Sequence, residues 1–400
     1  MCKQLYDYVI VGAGIVGLTV ASEIKRRCPK ATIAILEKEK SLGVHASGRN
    51  SGVLHCGIYY GSETIKAKVS AEGARRMIEF AQEEGVEVNK CGKVIIATSE
   101  NQLPAVDRLL NNAFKNNILA EKIDNKQLLE LEPFAAPAVA AIHCPTTAVI
   151  DSSTVLDVLK AKLESKGVVF QFGCEFKEKV NENELKTSLG KFSFGYMVNC
   201  AGAFADVVAK KHGLASDYAL VPFKGTYWKL SPENNHKVRG NIYPVPDDLI
   251  PFLGVHLTRV INGDVYIGPT SIPALGRENY GIFGGANFIE SISVGYQISR
   301  MYLKNDNNFR SLAHQELGKY YKNNFLKNAQ KLMPTLTSDQ MISSSKIGIR
   351  PQLINIKTKK LELDYIFEET KTTFHVLNAI SPAFTGSFAF ADVIVNRIGL

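Results

Sequence analysis

The sequence predicts an α/β protein in which a lobe built on a parallel sheet is interleaved with an α+β lobe built on an antiparallel sheet. Three observations carry that prediction. First, Tyr6–Val11 (YDYVIV) is a short apolar run rich in β-branched and aromatic residues, the mark of a buried parallel strand. Gly12-Ala13-Gly14-Ile15-Val16-Gly17 follows at once, then Ile15, Leu18, Ala21 and Ile24 recur at helical spacing to about Arg27. Second, Met197-Val198-Asn199 leads through Cys200-Ala201-Gly202-Ala203 into a helical Phe204–Lys211 and so returns the chain to the first sheet. Third, from about Leu220 strand-like runs are joined by Pro- and Gly-rich turns, the pattern of an antiparallel sheet.

The opening unit carries chemistry. A second strand, Thr32–Leu36, ends in Glu37, which stands twenty residues after Gly17, with Lys38 next to it. In such a βαβ unit Gly12 permits the tight turn, Gly14 leaves room for a pyrophosphate at the helix N-terminus, and Gly17 lets helix and sheet approach. A carboxylate at Glu37 accepts hydrogen bonds from both ribose hydroxyls and repels a 2′-phosphate. Strand, glycines, helix, strand and acid in register predict a Rossmann-like dinucleotide site, and its position ahead of all else favours FAD over NAD.

Bulk properties narrow the class. Four hundred residues suffice for two lobes, and 45% hydrophobic with 22% charged residues argues against disorder or a fibrous protein. No charged start feeds an apolar stretch, and no window approaches the about eighteen apolar residues of a membrane span. Seven widely spaced cysteines without a CxxC predict reduced thiols in a cytoplasmic protein, with neither a disulfide framework nor a metal site. The eight histidines add no HExxH pair. A net charge of +8 fits a solvated lysine-rich surface, anionic substrates or loose attachment to anionic lipid. Without a basic run interleaved with aromatics, nucleic acid is not expected as a partner.

Taken in order, Lys38–Ser51 and the Gly-, Ser-, His- and Tyr-rich stretch to Gly61 have no helix or strand logic, so they are read as ligand-contacting loop. Helical periodicity covers Thr64–Glu84, Asn101–Asn116 and Asn125–Leu131, with a strand at Cys91–Thr98. Val139–Cys144 and Thr147–Ile150 read as strands, and Asp151 or Ser152 caps a helix to Lys166. Val168–Phe172 reads as a buried strand like the first, ahead of a meander through 175–180, 184–188 and 191–199. The second lobe continues with strands Leu220–Leu230, Phe252–Ile261 and Val265–Gly268 and helices Ile289–Leu303 and Ser311–Leu332. Strands Met341–Pro351, Tyr365–Glu369 and Thr373–Leu377 and a helix Thr385–Leu400 close the chain. The dinucleotide lobe is thus expected to collect residues 1–90, 150–218 and 340–400, and the substrate lobe 91–149 and 219–339.

YDYVIVGAGIVGL, LEKE, SGRNSGVLHCGIYY, FKGTYWKL, PFLGVHLTR, GIRPQ and NAISPA together resemble the L-2-hydroxyglutarate oxidase/dehydrogenase family, FAD enzymes of the D-amino-acid-oxidase-like class. The resemblance runs nearly end to end, although Lys224 stands where arginine is common and Gly386 and Phe388 also depart from the pattern. It implies oxidation of a 2-hydroxy dicarboxylate to the 2-keto acid. The electrons would pass to oxygen or membrane quinone, with possible peripheral contact on the inner membrane face. It further implies that Ser47, Asn50, Ser51 and Gly52 run beside pyrophosphate and flavin, that Phe176 meets the adenine, and that Ala201 and Gly202 close over the pyrophosphate. Gly348 and the turn Pro382, Ala383, Phe384 and Thr385 border the flavin, the backbone N–H groups of that turn aimed at its O2.

For the chemistry itself, His256 lies mid-strand in an apolar run and His55 on the early loop, and an imidazole titrating near neutrality suits a proton acceptor. The competing reading of His256 is a satisfied core histidine, and His55 could instead pack on the flavin, carrying it covalently in some relatives of the class. In the broad class that the chain resembles, the arginine of the G-x-R-P turn faces the substrate, which makes Arg350 the expected carboxylate clamp, its guanidinium offering two parallel donors; its alternative is a salt bridge stabilising the turn. Lys224 and Arg259 are candidates for a second carboxylate, and Tyr59, Tyr60 and Tyr266 for hydroxyl donors. The alternatives to this reading are a sibling acting on glycerol 3-phosphate or an amino acid or amine, a flavin electron-relay subunit, and, remotely, a nucleic-acid-modifying flavoprotein.

Overall fold

A computed structural model of the protein describes residues 5–246, 253–282, 284–285, 287–305 and 309–400. The apolar opening becomes strand Leu5–Val11, which pairs in parallel with Ile33–Leu36 on one side and Gly190–Asn199 on the other. The sheet continues outward through Glu184–Thr187 to Phe176–Asn181 at one edge and Val169–Gln171 at the other. Thr373–Leu377 joins parallel to the far half of Gly190–Asn199, with Ile366–Glu369 antiparallel beyond it.

Helix Ile15–Arg27 lies on this sheet because Leu18, Val20, Ala21 and Ile24 fall on its inner side, all fully buried. Burying each aliphatic side chain of this kind contributes about 1.5–3 kcal/mol. Helix Ser152–Ser165, capped by the Asp151 carboxylate, and helix Ala383–Arg397 pack against it. The last also crosses helix Ile65–Glu83 where two glycines meet: a Cβ on Gly73 would stand 2.5 Å from the Gly386 Cα. The departure at Gly386 therefore belongs to a helix crossing.

The second sheet runs Ile272–Pro273, Tyr218–Leu230, Val265–Gly268, His256–Arg259, Asn241–Pro244, Lys93–Ala97, Ala140–Cys144 and Glu121–Ile123. It is antiparallel except where Asn241–Pro244 runs beside Lys93–Ala97. Strand Met341–Asn355 pairs with Tyr218–Leu230 along nearly its whole length, so the segment expected to open the last dinucleotide-lobe stretch belongs to this sheet. Its register sets Arg350 opposite Phe223 and Gly348 opposite Gly225.

Other differences have local causes. Val168–Phe172 is not a second buried centre strand: Val169–Gln171 is the half-exposed edge of the first sheet. The single helix expected over Ser311–Leu332 is two, Phe309–Gly318 and Lys322–Gln330, broken after a glycine by turns through Tyr321. The strand expected over Phe252–Ile261 is the four-residue His256–Arg259, and Phe252 lies outside the described residues. Asn241–Pro244 was not foreseen, because its proline disguises a fully inserted strand.

Two interactions of the first lobe give tests. A Cβ on Gly17 would lie 2.0 Å from the Gly12 carbonyl oxygen. Gly17→Ala should therefore lower the unfolding free energy by about 2 kcal/mol or more, read as a lower Tm of the FAD-free protein; an unchanged Tm would remove the claimed contact. His212 and His375 are buried with ring centroids 5.0 Å apart, and burial drives them down to about 4 and about 3. Above the ordinary imidazole value of about 6.5 both are neutral in either state, and below it the unfolded chain takes up protons that the folded one refuses. Stability should fall as pH drops from about 6.5 towards 4, and His212→Phe should flatten that slope in pH-dependent melts; an unaltered slope would contradict this.

Candidate active site

A cavity of about 410 Å³ opens at the carboxyl ends of the parallel strands and runs beneath the second sheet. Its first part is backbone. Gly12 has φ +105°, and a Cβ there would strike the Cys200 carbonyl oxygen at 2.5 Å. Helix Ile15–Arg27 starts at Gly14 without a side-chain cap, and the Ile15 N–H donates to Ser47 Oγ at 3.0 Å. Helix Ala383–Arg397 also begins uncapped at Pro382. Two positive helix ends thus face one cavity, which suits an anionic pyrophosphate and the electronegative edge of a flavin. Glu37 lines it too, its carboxylate accepting the N–H groups of Ala13 at 2.9 Å and Glu39 at 3.0 Å.

The dinucleotide residues expected from sequence gather here. Gly12, Gly14, Glu37, Lys38, Ser47, Asn50 and Ser51 line the cavity, as do Phe176, Ala201, Gly202 and Gly348 and the turn from Pro382 through Ala383 and Phe384 to Thr385. Gly17 and Gly52 do not: Gly17 sits against Gly12, and Gly52, at φ +73°, against the Ile150 carbonyl. Thr385 also donates to the Val53 carbonyl at 3.1 Å and accepts the His55 N–H at 3.3 Å, tying the early loop to the last helix. The residues present fit FAD: a groove kept open by absent Cβ atoms, two helix N-termini and an acid at its end.

Lys38 reaches a cluster that could pass for a metal site. Glu39, His45 and Glu278 have ligand atoms within 4.8 Å of one another, but the Lys38 ammonium lies among them, bonded to both carboxylates and 2.9 Å from His45 Nε2. The position a cation would take is filled by the protein's own. Glu278 and Tyr280 come from the second lobe, and Tyr280 meets His45 Nδ1 at 2.8 Å and the Arg49 guanidinium at 4.1 Å from its ring centre. Arg277 beside them pairs with Asp206 and Glu290.

At the other end of the cavity stand His55, His256 and Arg350. His256 Nδ1 lies 2.9 Å from the Gly254 carbonyl, which can only accept, so Nδ1 carries the proton and Nε2 keeps its lone pair. Burial, with the Lys93 and Arg350 charges, holds His256 down to about 4; burial and the same charges hold His55 near 3. Both imidazoles are neutral at pH 7. Tyr243 packs between them, stacked on His256 at 4.0 Å and edge-on to His55 at 6.4 Å.

Of the other expected substrate contacts, Lys224, Arg259 and Tyr266 are turned away by strand geometry, and the two tyrosines of the early loop differ from each other. Phe223, Gly225 and Tyr227 face the cavity, so Lys224 between them points to the opposite side of the sheet. There it donates to the Gly281 carbonyl at 2.6 Å and to Asn279 at 3.4 Å. Arg259 holds the Asn235 and Val238 carbonyls at 3.0 and 3.1 Å. Tyr59 lies behind the wall over the Lys93 ammonium, whereas Tyr60 packs on Lys66 with its hydroxyl bonded to the cavity-lining Ser381 and beside the charge of Arg350. Tyr266 stands edge-on to Tyr227 and under Lys346. Sequence reasoning overlooked Tyr227 and Tyr243. The first was visible as the member of the Phe223, Gly225 alternation, while the second required knowing that Asn241–Pro244 is a strand.

Over residues 7–397 the chain matches the family described as FAD dependent oxidoreductase. The L-2-hydroxyglutarate dehydrogenase of Indibacter alkaliphilus is 34% identical over 401 residues, covering 97% of this chain and 98% of that protein. The mitochondrial L-2-hydroxyglutarate dehydrogenase of Homo sapiens is 33% identical over 419 residues, covering 98% and 88%. Among solved structures, the L-alpha-glycerophosphate oxidase of Mycoplasma pneumoniae with FAD bound superposes with a TM-score of 0.77 at 20% identity, over 100% of this chain and 96% of that one. Glycine oxidase from Geobacillus kaustophilus does so at 0.71 and 18%, over 99% and 95%. At such identities the structures speak for the fold, while the sequence relatives and the family match speak for descent. The chain belongs to the FAD-dependent oxidoreductases and, among them, to the L-2-hydroxyglutarate dehydrogenase family.

Proposed function

We propose that the protein oxidises L-2-hydroxyglutarate to 2-oxoglutarate, with His256 as the base and Arg350 as the clamp on the carboxylate beside C2. The observation that carries this reading is the fixed tautomer of His256: Nδ1–H is committed to Gly254, and Nε2 presents an unprotonated lone pair beside the dinucleotide groove. FAD, when bound, supplies the two-electron acceptor for the C2 hydride. The protein's part is to orient and to move one proton. Arg350 draws the 2-hydroxy acid into one pose, converting an encounter into a positioned reaction. His256 Nε2 takes the hydroxyl proton as the C2–O bond becomes a carbonyl. His55, neutral and tied through its backbone to Thr385, closes the other side of the substrate space. The apolar wall of Phe223, Tyr227 and Tyr243 excludes water, which strengthens the pull of Arg350 on an anion.

In this reading the electrons pass on to membrane quinone or oxygen. Helix Phe288–Lys304 supports a peripheral membrane contact, because Phe288, Ile289, Ile292 and Tyr296 are exposed on it. No helix among the described residues is long and apolar enough to cross a membrane.

The roles separate in kinetics. His256→Ala should slow anaerobic flavin reduction at saturating substrate by roughly 10²–10⁴-fold, with substrate affinity changed little. Arg350→Ala should instead raise the substrate concentration needed for half-maximal reduction by roughly 10²-fold, the loss of a buried ionic contact. Equal, mild effects from both would remove the two residues from the site.

A further inference from the structure

Lys93 is a buried cation that the catalytic account leaves unused. It begins strand Lys93–Ala97, in register with Cys144 on one side and Asn241 on the other, and is 1% exposed. Among the described residues no carboxylate pairs with it. Its Nζ lies 3.8 Å from Cys56 Sγ, 4.7 Å from the Tyr59 ring centre and 5.4 Å from that of Tyr243. Sequestering an ammonium without a carboxylate is unfavourable, and an aliphatic side chain of similar length would fill the space without that penalty.

What the charge faces explains its presence. The Tyr243 ring that receives Lys93 is the ring on which His256 stacks at 4.0 Å and 25°, and its edge meets His55. Ammonium, phenol ring and the two imidazoles form one contiguous buried column with its far end in the substrate cavity. We propose that Lys93 is a positioning residue for the oxidation: through the Tyr243 ring its charge opposes a second positive charge on His256, so the base keeps its Nε2 lone pair in mildly acidic as well as neutral solution. The inference rests on the assignment of His256 as base.

Among the other titratable groups around the column, the Tyr60 and Tyr227 phenols beside Arg350 are pushed up to about 12 by burial and stay neutral. Arg350, across the cavity on strand Met341–Asn355, acts on His256 in the same direction as Lys93. Any charge on His256, across the Tyr243 ring, further opposes charging His55. Behind Lys93, Cys56 accepts a hydrogen bond from Cys144 and is drawn well below the ordinary thiol value, with Lys93 contributing. Against burial, which lowers Lys93, the neighbouring Cys56 and Cys144 hold the ammonium above its ordinary value. The phenols of Tyr59 and Tyr243 are pushed above their ordinary value by burial and stay neutral. Lys93 thus supplies a positive field behind the base, and Tyr243 is the shared contact through which geometry and field are linked.

The test is the pH profile of anaerobic flavin reduction by L-2-hydroxyglutarate, from about pH 5 to about pH 9, in wild type, Lys93→Met and Lys93→Arg. The wild type should stay flat through the ordinary imidazole range near 6.5. In Lys93→Met the acid-side fall should move up by about one pH unit, with the rate recovered at alkaline pH, while Lys93→Arg should keep the wild-type profile. If the methionine variant does not fold, Lys93→Gln is read for the same shift. A neutral variant whose profile does not move, or whose rate drops equally at every pH, would reduce Lys93 to a packing residue. A wild-type break near 6.5 would overturn the inference outright. Absence of reduction in the wild type at any pH would be the distinct failure of the proposed reaction, and would overturn this inference with it.

Discussion

The structure depends on a place where backbone must touch backbone. At Gly12 the end of the first strand, the start of the first helix and the turn after Asn199 converge so closely that a Cβ would meet the Cys200 carbonyl at 2.5 Å. Bonds from the Gly12 N–H to Leu36 and from the Cys200 N–H to Val11 hold the three strand ends level. Because no side chain intrudes there, the crevice beyond the strands stays open, and the second sheet can roof it with side chains of its own. Chemistry at the far end of the cavity is therefore a consequence of a steric rule at the near end.

The roof follows from one strand pairing. Tyr218–Leu230 and Met341–Asn355 run antiparallel in a register that sets Phe223 opposite Arg350 and Gly225 opposite Gly348. Strand alternation then decides which residues reach the crevice: Phe223, Gly225 and Tyr227 do, and Lys224 cannot. Lys224 instead fastens residues 279–281, the neighbours of Glu278 and Tyr280, which bridge back to Lys38, His45 and Arg49. A cation that composition alone would assign to substrate is committed to joining the two lobes.

Much of this was legible before any coordinates. The Gly12, Gly14, Gly17 and Glu37 pattern specifies a local unit whose geometry is dictated by neighbours in sequence, so it could be read directly. His55 and His256 could be named because each is a chemically distinctive residue in an otherwise apolar or glycine-rich stretch, and Arg350 because its G-x-R-P turn resembles that of the class. Lys224, Arg259 and Tyr266 could not be assigned a direction, since a one-residue change of strand phase turns a side chain from one face to the other, and Tyr59 and Tyr60 stand on a turn where no alternation applies. Tyr243 stayed hidden for a related reason: its strand contains Pro244, and its partners, Lys93–Ala97 and His256–Arg259, are remote in sequence. Long-range register, more than local propensity, was the missing information.

The measurement that bears most directly on this account is the visible spectrum of the purified, FAD-loaded protein under anaerobic conditions, before and after addition of L-2-hydroxyglutarate. The account predicts that the L enantiomer bleaches the flavin band, whereas the D enantiomer and glycerol 3-phosphate leave it intact. A flavin band that ignores the L enantiomer, or that responds equally to both enantiomers, would contradict the roles given to His256 and Arg350.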